Sequence, residues 1–578
     1  MAKKNLSDYL AQSKQRIESS RKWRKEDGYD GTWRRMVDMY KGRHFDDYKT
    51  EDRMLVNISF STINVISPSI SVNYPKISVN AVNPDNAAQA VIAEAVVNYW
   101  WKHRDIRSHF RRAVKDMLTV GHGWMKVGYR FVEEEDTQGG DTEVSDAVEG
   151  GESTPTSIIL EDSPFAERVS PNDVFVDPDA TSMHDIRWIA QRIRRPINDV
   201  KQDKRYNKAA REQVKVMAVS RYADDPSRKK IHDKNAGYAE IWEFYDVASN
   251  MMSIFSEQGE NFLVKPIKMP YSFGQPFVML RNYDIPDHFY PMGDLESIEP
   301  LQKELNETRS QMMNHRKKFA RKYLYKENAF DQLGRTALES DQDNVMVPVI
   351  SDESLGAVVS AFPAVINPPE FYNQTNLIVG DIDRISGVTE FQRGGVSEIR
   401  RTATETSLMQ DAANARTSDK LATVEQAIAE IGRRMVQLAQ QYMIGEQVAR
   451  VMGKDGEPVW VNFDRDYLQG DFDFEVAAGS TQPANESFRR QMALQMVDAL
   501  APFAGAGIVD MGKLAAYVLQ MGFGVKNPDE FINAAPQQQG MPAGPAGVAG
   551  APPASPEVEA MLAAQQTAAQ QQPPLSAQ

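Results

Sequence analysis

The residues best suited to chemistry in this chain lie in the stretch "DVFVDPDATSMHD". Carboxylates at Asp177, Asp179 and Asp185, together with the imidazole of His184, are ligands that a divalent metal could share. A metal-dependent nuclease is the enzyme that such a cluster would serve. An Asp-Pro-Asp sequence directly after a strand is nevertheless typical of a turn, because aspartate accepts hydrogen bonds from the backbone that follows it. The ligand set is also short for a nuclease, so we predict a turn.

Other enzyme signatures are missing from the sequence. The chain contains no Gly-x4-Gly-Lys-Ser/Thr loop for phosphates, no H-E-x-x-H and no Gly-x-Ser-x-Gly. It contains no cysteine, which excludes disulfides, thiolate nucleophiles and cysteine-based zinc sites. The sequence therefore predicts a protein that is not an enzyme and that uses no cofactor and no metal.

Charge and hydropathy further restrict the classes of protein to which this chain could belong. A formal net charge of −14 argues against a protein that coats nucleic acid over its whole surface. No run of about 18 apolar residues is present, so we expect no membrane span. The charged N-terminus lacks the apolar core of a signal peptide, which predicts a protein that stays in the cytosol of the cell that makes it.

One group of basic residues lies in a predicted helix. Its members are Arg316, Lys317, Lys318, Arg321 and Lys322. Lys317, Lys318, Arg321 and Lys322 are i, i+1, i+4 and i+5, so these four cations cluster on one side of the helix. They either complement the negative C-terminal end of the helix dipole or form a stripe that faces phosphates or a partner protein.

A second basic group lies in "RISGVTEFQRGGVSEIRRTATETS", between two predicted helices. Its notable residues are Phe391, Arg393, Gly394, Gly395, Arg400 and Arg401. The glycine pair gives the backbone unusual conformational freedom. Taken alone, this stretch is an ordinary exposed loop with surface arginines.

The elements that carry these residues indicate an α+β, helix-rich chain. With 578 residues it holds several domains or one long composite subunit. The first half is predicted as a helix over 6–40, extended pieces around a turn-rich helix, a helix pair, and several strands. An acidic, Gly/Ser/Thr-rich segment, 133–156, reads as a solvated hairpin tip or a disordered loop.

The second half has longer helices. We predict a helix over 293–323, short strands in "NVMVPVIS" and "GAVVSAF", and a helix over 368–386. The helix from Thr402 to Tyr442 would be about 60 Å long. Its apolar residues step by three and four and form one seam, made of Leu421, Val424, Ile428, Ile431, Met435, Leu438 and Tyr442.

This order of elements resembles the portal (head-to-tail connector) proteins of tailed double-stranded DNA bacteriophages, and most of all the larger portals of short-tailed phages. The resemblance rests on "NISFSTINVISPSISVNYPKISVNAV" followed by "DMLTVGHGWMKVGYRF", and on "SPNDVFVDPDAT". It rests most on the order helix, small β segment, helix, "SGVTEFQRGGVSEIRRTATETS" and long helix.

The resemblance implies a division of the subunit into named parts. They are a wing (1–292), a stem helix (293–323), a clip (324–367), a second stem helix (368–386), a tunnel loop (387–401), the long helix with the rest of the wing (402–480), a crown (481–535) and a disordered Gln/Ala/Pro-rich tail (536–578). It implies a ring of twelve subunits at one capsid vertex. The apolar seam and the basic stem helix are our candidates for contacts that close the ring.

The resemblance also implies the partners. Double-stranded DNA would pass through the channel, past the basic stem stripe and the tunnel loop. The terminase large subunit would dock first and head-tail adaptor or tail proteins later, while major capsid and scaffolding proteins would surround the ring. The protein would assemble in the bacterial cytoplasm and end in the virion, without a membrane. Another virion part, such as a tail adaptor or minor head protein, is the alternative.

Overall fold

The structure, a computed structural model, describes residues 3–45, 53–71, 75–135, 157–217, 237–319, 323–340, 345–361, 370–388, 403–452, 458–476, 493–500, 512, 514–515 and 518–519. The chain divides into two units, Met1–Asn485 and Glu486–Gln578. The first unit mixes helices with antiparallel sheets, which confirms the predicted α+β class. In the second unit, residues 493–500 are helical.

The first unit contains the following elements. The helices are α1 (Lys3–Glu26), α2 (Tyr29–Tyr40), α3 (Ile58–Ile70), α4 (Ala87–His103), α5 (Ile106–Val120), α6 (Ile197–Gln202), α7 (Lys208–Glu212), α8 (Asp294–Phe319), α9 (Gln332–Glu339), α10 (Leu355–Val358), α11 (Glu370–Ser386) and α12 (Ala403–Tyr442). The strands are β1 (Ile77–Ala81), β2 (His122–Glu135), β3 (Ser157–Val169), β4 (Val174–Val176), β5 (Trp188–Pro196), β6 (Tyr238–Asp246), β7 (Met251–Ser256), β8 (Phe262–Lys268), β9 (Phe277–Arg281), β10 (Tyr323–Tyr325), β11 (Val359–Ala361), β12 (Gln447–Met452), β13 (Pro458–Phe463) and β14 (Phe472–Val476).

The N-terminal region forms two helices, so the prediction of one helix over 6–40 was wrong. The break lies at Gly28, whose φ of 77° is left-handed and therefore favours glycine. The helix α1 covers one face of the antiparallel sheet β4-β5-β6-β7-β8. Leu10 and Ile17 of α1 pack there in a cluster with Trp242 and Phe244 of β6. The helix α1 is thus part of the hydrophobic cluster that covers this sheet.

A second sheet has the order β3-β2-β9, with β2 in the middle. The strands β2 and β3 pair antiparallel along most of their length, so the acidic segment between them joins the two strands of one hairpin, as predicted. Residues 136–156 of that segment lie outside the described ranges. The strand β1 pairs with β14, which joins chain positions almost 400 residues apart.

The middle of the chain departs from prediction in two places. The helix α8 ends at Phe319, and Tyr323 begins a strand that pairs with β11, so a helix through 323 was wrong. Aromatic and apolar residues of β10 favour pairing over a further helical turn. The "NVMVPVIS" stretch contributes no strand over its described residues 345–350, and "GAVV" is largely the short helix α10 before β11.

The long helix α12 confirms the prediction for 402–442 almost residue for residue. Its seam lies in the main core: Val424, Ile428, Ile431, Met435 and Leu438 are fully buried. Because the subunit's own strands and helices cover these side chains, the expectation that the seam closes the ring between subunits was wrong. No helix in the described ranges is long and apolar enough to cross a membrane.

Candidate functional site

The helices α8 and α11 lie side by side and are linked through the small segment that holds β10 and β11. The Gln374 amide donates to Glu304 at 3.3 Å, and the Thr375 hydroxyl lies 3.7 Å from the sulfur of Met312. Ile378 of α11 is buried in the main core with residues of α8. The structure therefore contains the predicted order of helix, small β segment and helix.

The basic end of α8 is only partly described. Arg316 and Lys317 are exposed on the last two turns of the helix. The backbone of Lys318 is helical, but its side chain, and the whole of Arg321 and Lys322, lie outside the described residues. The predicted clustering of Lys317, Lys318, Arg321 and Lys322 on one side of the helix therefore stays a prediction.

The glycine-rich stretch lies between α11 and α12 in the chain. Phe391, Arg393, Gly394, Gly395, Arg400 and Arg401 all lie outside the described ranges. Before the loop, Gly387 ends α11 with a left-handed φ of 71° and donates its N–H to the Asp383 carbonyl at 2.9 Å. The next side chain, Val388, is buried in the main core. The chain therefore leaves α11 through two residues whose positions are fixed, and the predicted tunnel loop 387–401 is otherwise outside the described ranges.

The first turn of α8 is the centre of a buried polar cluster, the Asp294 cluster. The Lys420 ammonium of α12 donates to the Asp294 carboxylate. The Asn282 amide and the Tyr283 hydroxyl, which follow β9, also donate to it at 3.0 and 3.2 Å. Only 2% of the Asp294 side chain and 7% of the Lys420 side chain are exposed. One carboxylate therefore joins α8, α12 and the segment that follows β9.

Electrostatics favour this arrangement although the charges are buried. A carboxylate in the first helical turn faces the positive end of the helix dipole. The Lys420 ammonium also lies 4.3 Å from the centre of the Tyr283 ring, a cation–π contact. Burial still lowers the pKa of Lys420, and the negative charge of Asp294 opposes that shift. The buried Lys420–Asp294 ion pair is therefore stabilised by the surrounding hydrogen bonds, the Tyr283 ring and the helix dipole, and not by water.

Two glycines allow α8 to begin close to the end of α5. A Cβ on Gly293 would lie 2.7 Å from the Thr119 carbonyl oxygen. Gly121 has a φ of 96°, and a Cβ there would lie 2.1 Å from the Pro291 carbonyl oxygen. Any larger residue would push α8 away from α5, so the junction requires glycine at both positions.

A row of buried polar side chains on α8 forms a second anchor, the polar ladder of Gln302, Asn306 and Ser310. Gln302 accepts from the Ile58 and Ser59 N–H groups and donates to the Val56 carbonyl at 2.7 Å. Asn306 accepts from the Val56 N–H at 3.1 Å, and Ser310 accepts from the Met54 N–H at 2.9 Å. These side chains satisfy the backbone of the extended segment before α3 as a neighbouring strand would. The ladder thus fixes α8 to the extended segment before α3 and to the first residues of α3.

The C-terminal half of α12 is hydrogen-bonded to the loop before β9 and to the first residue of β9. The Arg434 guanidinium donates to the Gln275 and Phe277 carbonyls at 2.9 and 3.0 Å, and its Nε donates to Glu430 at 2.6 Å. The Gln441 amide donates to the Pro270 carbonyl at 2.7 Å. Lys420 and Arg434 together therefore fix α12 at two points about four turns apart.

The Asp177 region is a turn, as predicted. The Asp177 carboxylate accepts from the Asp179 N–H at 3.3 Å and pairs with the Arg187 guanidinium. Asp185 accepts from the N–H groups of Thr181 and Ser182 at 3.0 and 2.8 Å, and these hydrogen bonds hold the pKa of Asp185 below its usual value. In the ranges that the structure describes, no group of three or more His, Asp or Glu side chains could hold a metal ion.

The Asp294 cluster and the polar ladder were missed by sequence reasoning. A usable signal existed for the ladder, since Gln302, Asn306 and Ser310 repeat every four residues on a helix whose neighbouring face is apolar. No comparable signal marked Lys420, because its partner lies 126 residues away.

The structure defines a composite structural subunit in which paired helices and one long helix are fastened to an α+β body by buried polar contacts. The model of the phage P22-like portal protein family matches residues 14–578, so the chain belongs to this family of phage portal proteins. Membership indicates a component of the virion capsid. No curated protein matches the chain.

Proposed function

We propose that twelve copies of this chain form a closed ring at one capsid vertex. The ring is the channel through which the genome is packaged and later ejected. It is also the docking site for the terminase large subunit during packaging and for head-tail adaptor or tail proteins afterwards. The observation that carries the proposal is the family match over residues 14–578. A heterologous contact between identical subunits closes such a ring.

The parts of the subunit have distinct roles in this proposal. The wing comprises the body before α8 and the strands after α12, and the helices α8 and α11 are the stem around the channel. The segment 324–367 is the clip that meets motor and tail proteins, and 481–535 is the crown. The Asp294 cluster and the polar ladder support this division, because they join the stem to the wing without a flexible connection.

The channel is proposed to guide DNA without holding it. Each Lys or Arg that contacts a phosphate releases counterions and adds affinity, so many such contacts would stall a sliding duplex. A subunit with a net charge of −14 that presents a few cations suits this task. We assign those contacts to Arg393, Arg400 and Arg401 of the tunnel loop and to the basic end of α8. Phe391 packs between neighbouring loops, and Gly394 and Gly395 let each loop adapt to a polymer whose symmetry differs from the ring's.

The assembly context follows from the same proposal. The ring forms in the cytoplasm of the host bacterium with major capsid and scaffolding proteins and remains in the virion. Force for packaging comes from ATP hydrolysis in the terminase. The absence of a phosphate-binding loop from this sequence supports that division of labour.

The natural absence of cysteine permits a clean test of the channel assignment. A single cysteine at Arg393 (Arg393→Cys) is labelled with a maleimide-linked gold cluster and imaged in the purified ring. We expect the label at the central hole, whereas a label on the matched control Lys268→Cys, exposed at the end of β8, should lie away from it. An Arg393 label at the outer rim would refute the assignment of the loop.

A functional test uses the double variant Arg393→Ala/Arg400→Ala. We expect rings of normal mass that package or retain DNA differently from the unmodified protein, because only phosphate contacts are lost. If the rings fail to assemble, these arginines are structural and the conduit mechanism loses its proposed contacts.

A further inference from the structure

The helix α5 carries an exposed basic face in an otherwise acidic protein. Arg111, Arg112 and Lys115 are exposed, while Phe110, Ala113 and Val114 between them are buried. At 100° per residue, the three cations fall within a 100° arc of the helix. We call this surface the α5 basic face.

Two carboxylates on this helix and on the neighbouring strand already form ion pairs with other cations. Asp116, on the same helix, pairs with Arg168 of β3, and Glu161 of β3 lies 3.6 Å from Arg104 in the turn before α5. In the described part of the chain, Arg111, Arg112 and Lys115 form no ion pair. The face therefore has a positive charge that the described residues of its own subunit leave uncompensated.

The most acidic segment of the chain begins at the end of the β2–β3 hairpin. Its acidic residues are Glu133, Glu134, Glu135, Asp136, Asp141, Glu143, Asp146, Glu149 and Glu152, and residues 133–152 contain no lysine or arginine. The hairpin end lies beside the turn before α5, as the contact of Arg104 with Glu161 shows. A 21-residue connection, 136–156, can reach about 35 Å out and back, which exceeds the length of α5, about 22 Å.

We propose that the acidic segment 133–152 of one subunit docks on the α5 basic face of the next subunit. This inference rests on the proposed ring. In a ring, identical acidic segments lie at one radius and repel one another unless cations separate them. A basic face and an acidic segment at different places on one chain form a heterologous contact that repeats around a ring, and complementary charge selects its register.

Zero-length crosslinking of the full-length protein tests the proposal. Carbodiimide joins carboxylates to lysine amines in direct contact. A crosslink to Lys115 therefore shows that a carboxylate touches the α5 basic face. Rings are assembled from an equal mixture of ¹⁴N and ¹⁵N chains and analysed by mass spectrometry. We expect mixed-isotope crosslinks between Lys115 and residues 133–152 at low salt, and their loss at 0.5 M NaCl, where screening shortens the range of the attraction.

A charge-reversal variant tests whether the Lys115 crosslinks depend on the α5 basic face. Arg111→Glu/Arg112→Glu keeps the Lys115 amine but reverses the charge around it, so the Lys115 crosslinks should fall to the level seen at Lys265 and Lys268, which are exposed on β8. The control replacement of Lys265 and Lys268 by Glu should leave the Lys115 crosslinks unchanged.

Two results would overturn the proposal. Crosslinks that contain only one isotope would show that the segment docks on its own subunit, and an absence of Lys115 crosslinks in intact rings would show that the face does not bind it. Native mass of the same sample distinguishes a failed ring from a failed contact: a monomer at all salt concentrations refutes the ring itself.

Discussion

Replacement of Lys420 by methionine should destabilise the junction between α8 and α12. Methionine keeps most of the volume but leaves the Asp294 carboxylate buried without its cation. Removing one partner of a buried ion pair costs about 3–5 kcal/mol, because the remaining charge stays desolvated. The Asn282 and Tyr283 hydrogen bonds to Asp294 remain, so we expect the lower end of that range.

The effect on thermal unfolding follows from the size of the unit. At about 2.1 cal/mol/K per residue, a unit of 485 residues has an unfolding entropy of about 1 kcal/mol/K near its melting temperature. A loss of about 3–5 kcal/mol therefore lowers the melting temperature by about 3–5 °C if the unit unfolds cooperatively. Differential scanning calorimetry of the purified protein measures this shift.

The matched control is Lys22→Met. Lys22 pairs with Glu26 at 3.7 Å on the surface of α1, with 71% and 63% of the side chains exposed, and exposed pairs contribute about 0–1 kcal/mol. The double variant Lys420→Met/Asp294→Asn should recover at least half of the loss, because a neutral amide costs less to bury and still accepts a hydrogen bond. If Lys420→Met melts within about 1 °C of Lys22→Met, the pair does not anchor the junction.

Three further predictions concern other polar contacts. Gln302→Leu should cost about 1–3 kcal/mol, because the Ser59 N–H loses its side-chain acceptor, and protection of the Ser59 amide against hydrogen exchange should fall; unchanged protection would argue against the ladder. Asp162→Ala should cost a similar amount, since the carboxylate accepts from the Gly445 N–H at 2.9 Å and from the Tyr129 hydroxyl at 2.6 Å, whereas Asp162→Asn should melt closer to the unmodified protein. The folded-state pKa of Asp185 is lowered, so its carboxylate stabilises fully above the unfolded pKa of about 3.9 and loses that contribution as pH falls towards the folded pKa. The melting-temperature advantage over Asp185→Asn should therefore be present at pH 6 and shrink below pH 4; an advantage that grows in acid would reverse the assigned sign.

The elements that periodicity determines were predictable from the sequence. The seam from Val424 to Leu438 repeats over about four helical turns, and such a pattern has one structural solution, a long half-buried helix. The turn at Asp177 was equally local, because its hydrogen bonds join residues two to four apart.

The contacts that fasten these elements could not be predicted in the same way. Asp294 and Lys420 are far apart in sequence, and each alone looks like an ordinary surface charge. The end of α8 was misplaced because Tyr323 suits both a helical apolar position and a strand, and pairing with β11 decided for the strand. Burial of the seam also depended on strands that lie up to about 350 residues before it, since Ile77 of β1 belongs to the same core cluster as Val424.

Native mass spectrometry combined with electron-microscopy class averages of the purified protein tests the proposed ring. Twelve subunits of 65.0 kDa give about 780 kDa, and we predict closed rings with a central hole wide enough for duplex DNA. A protein that remains a monomer or dimer at high concentration, and also when coexpressed with its capsid and scaffolding proteins, would contradict the proposed assembly.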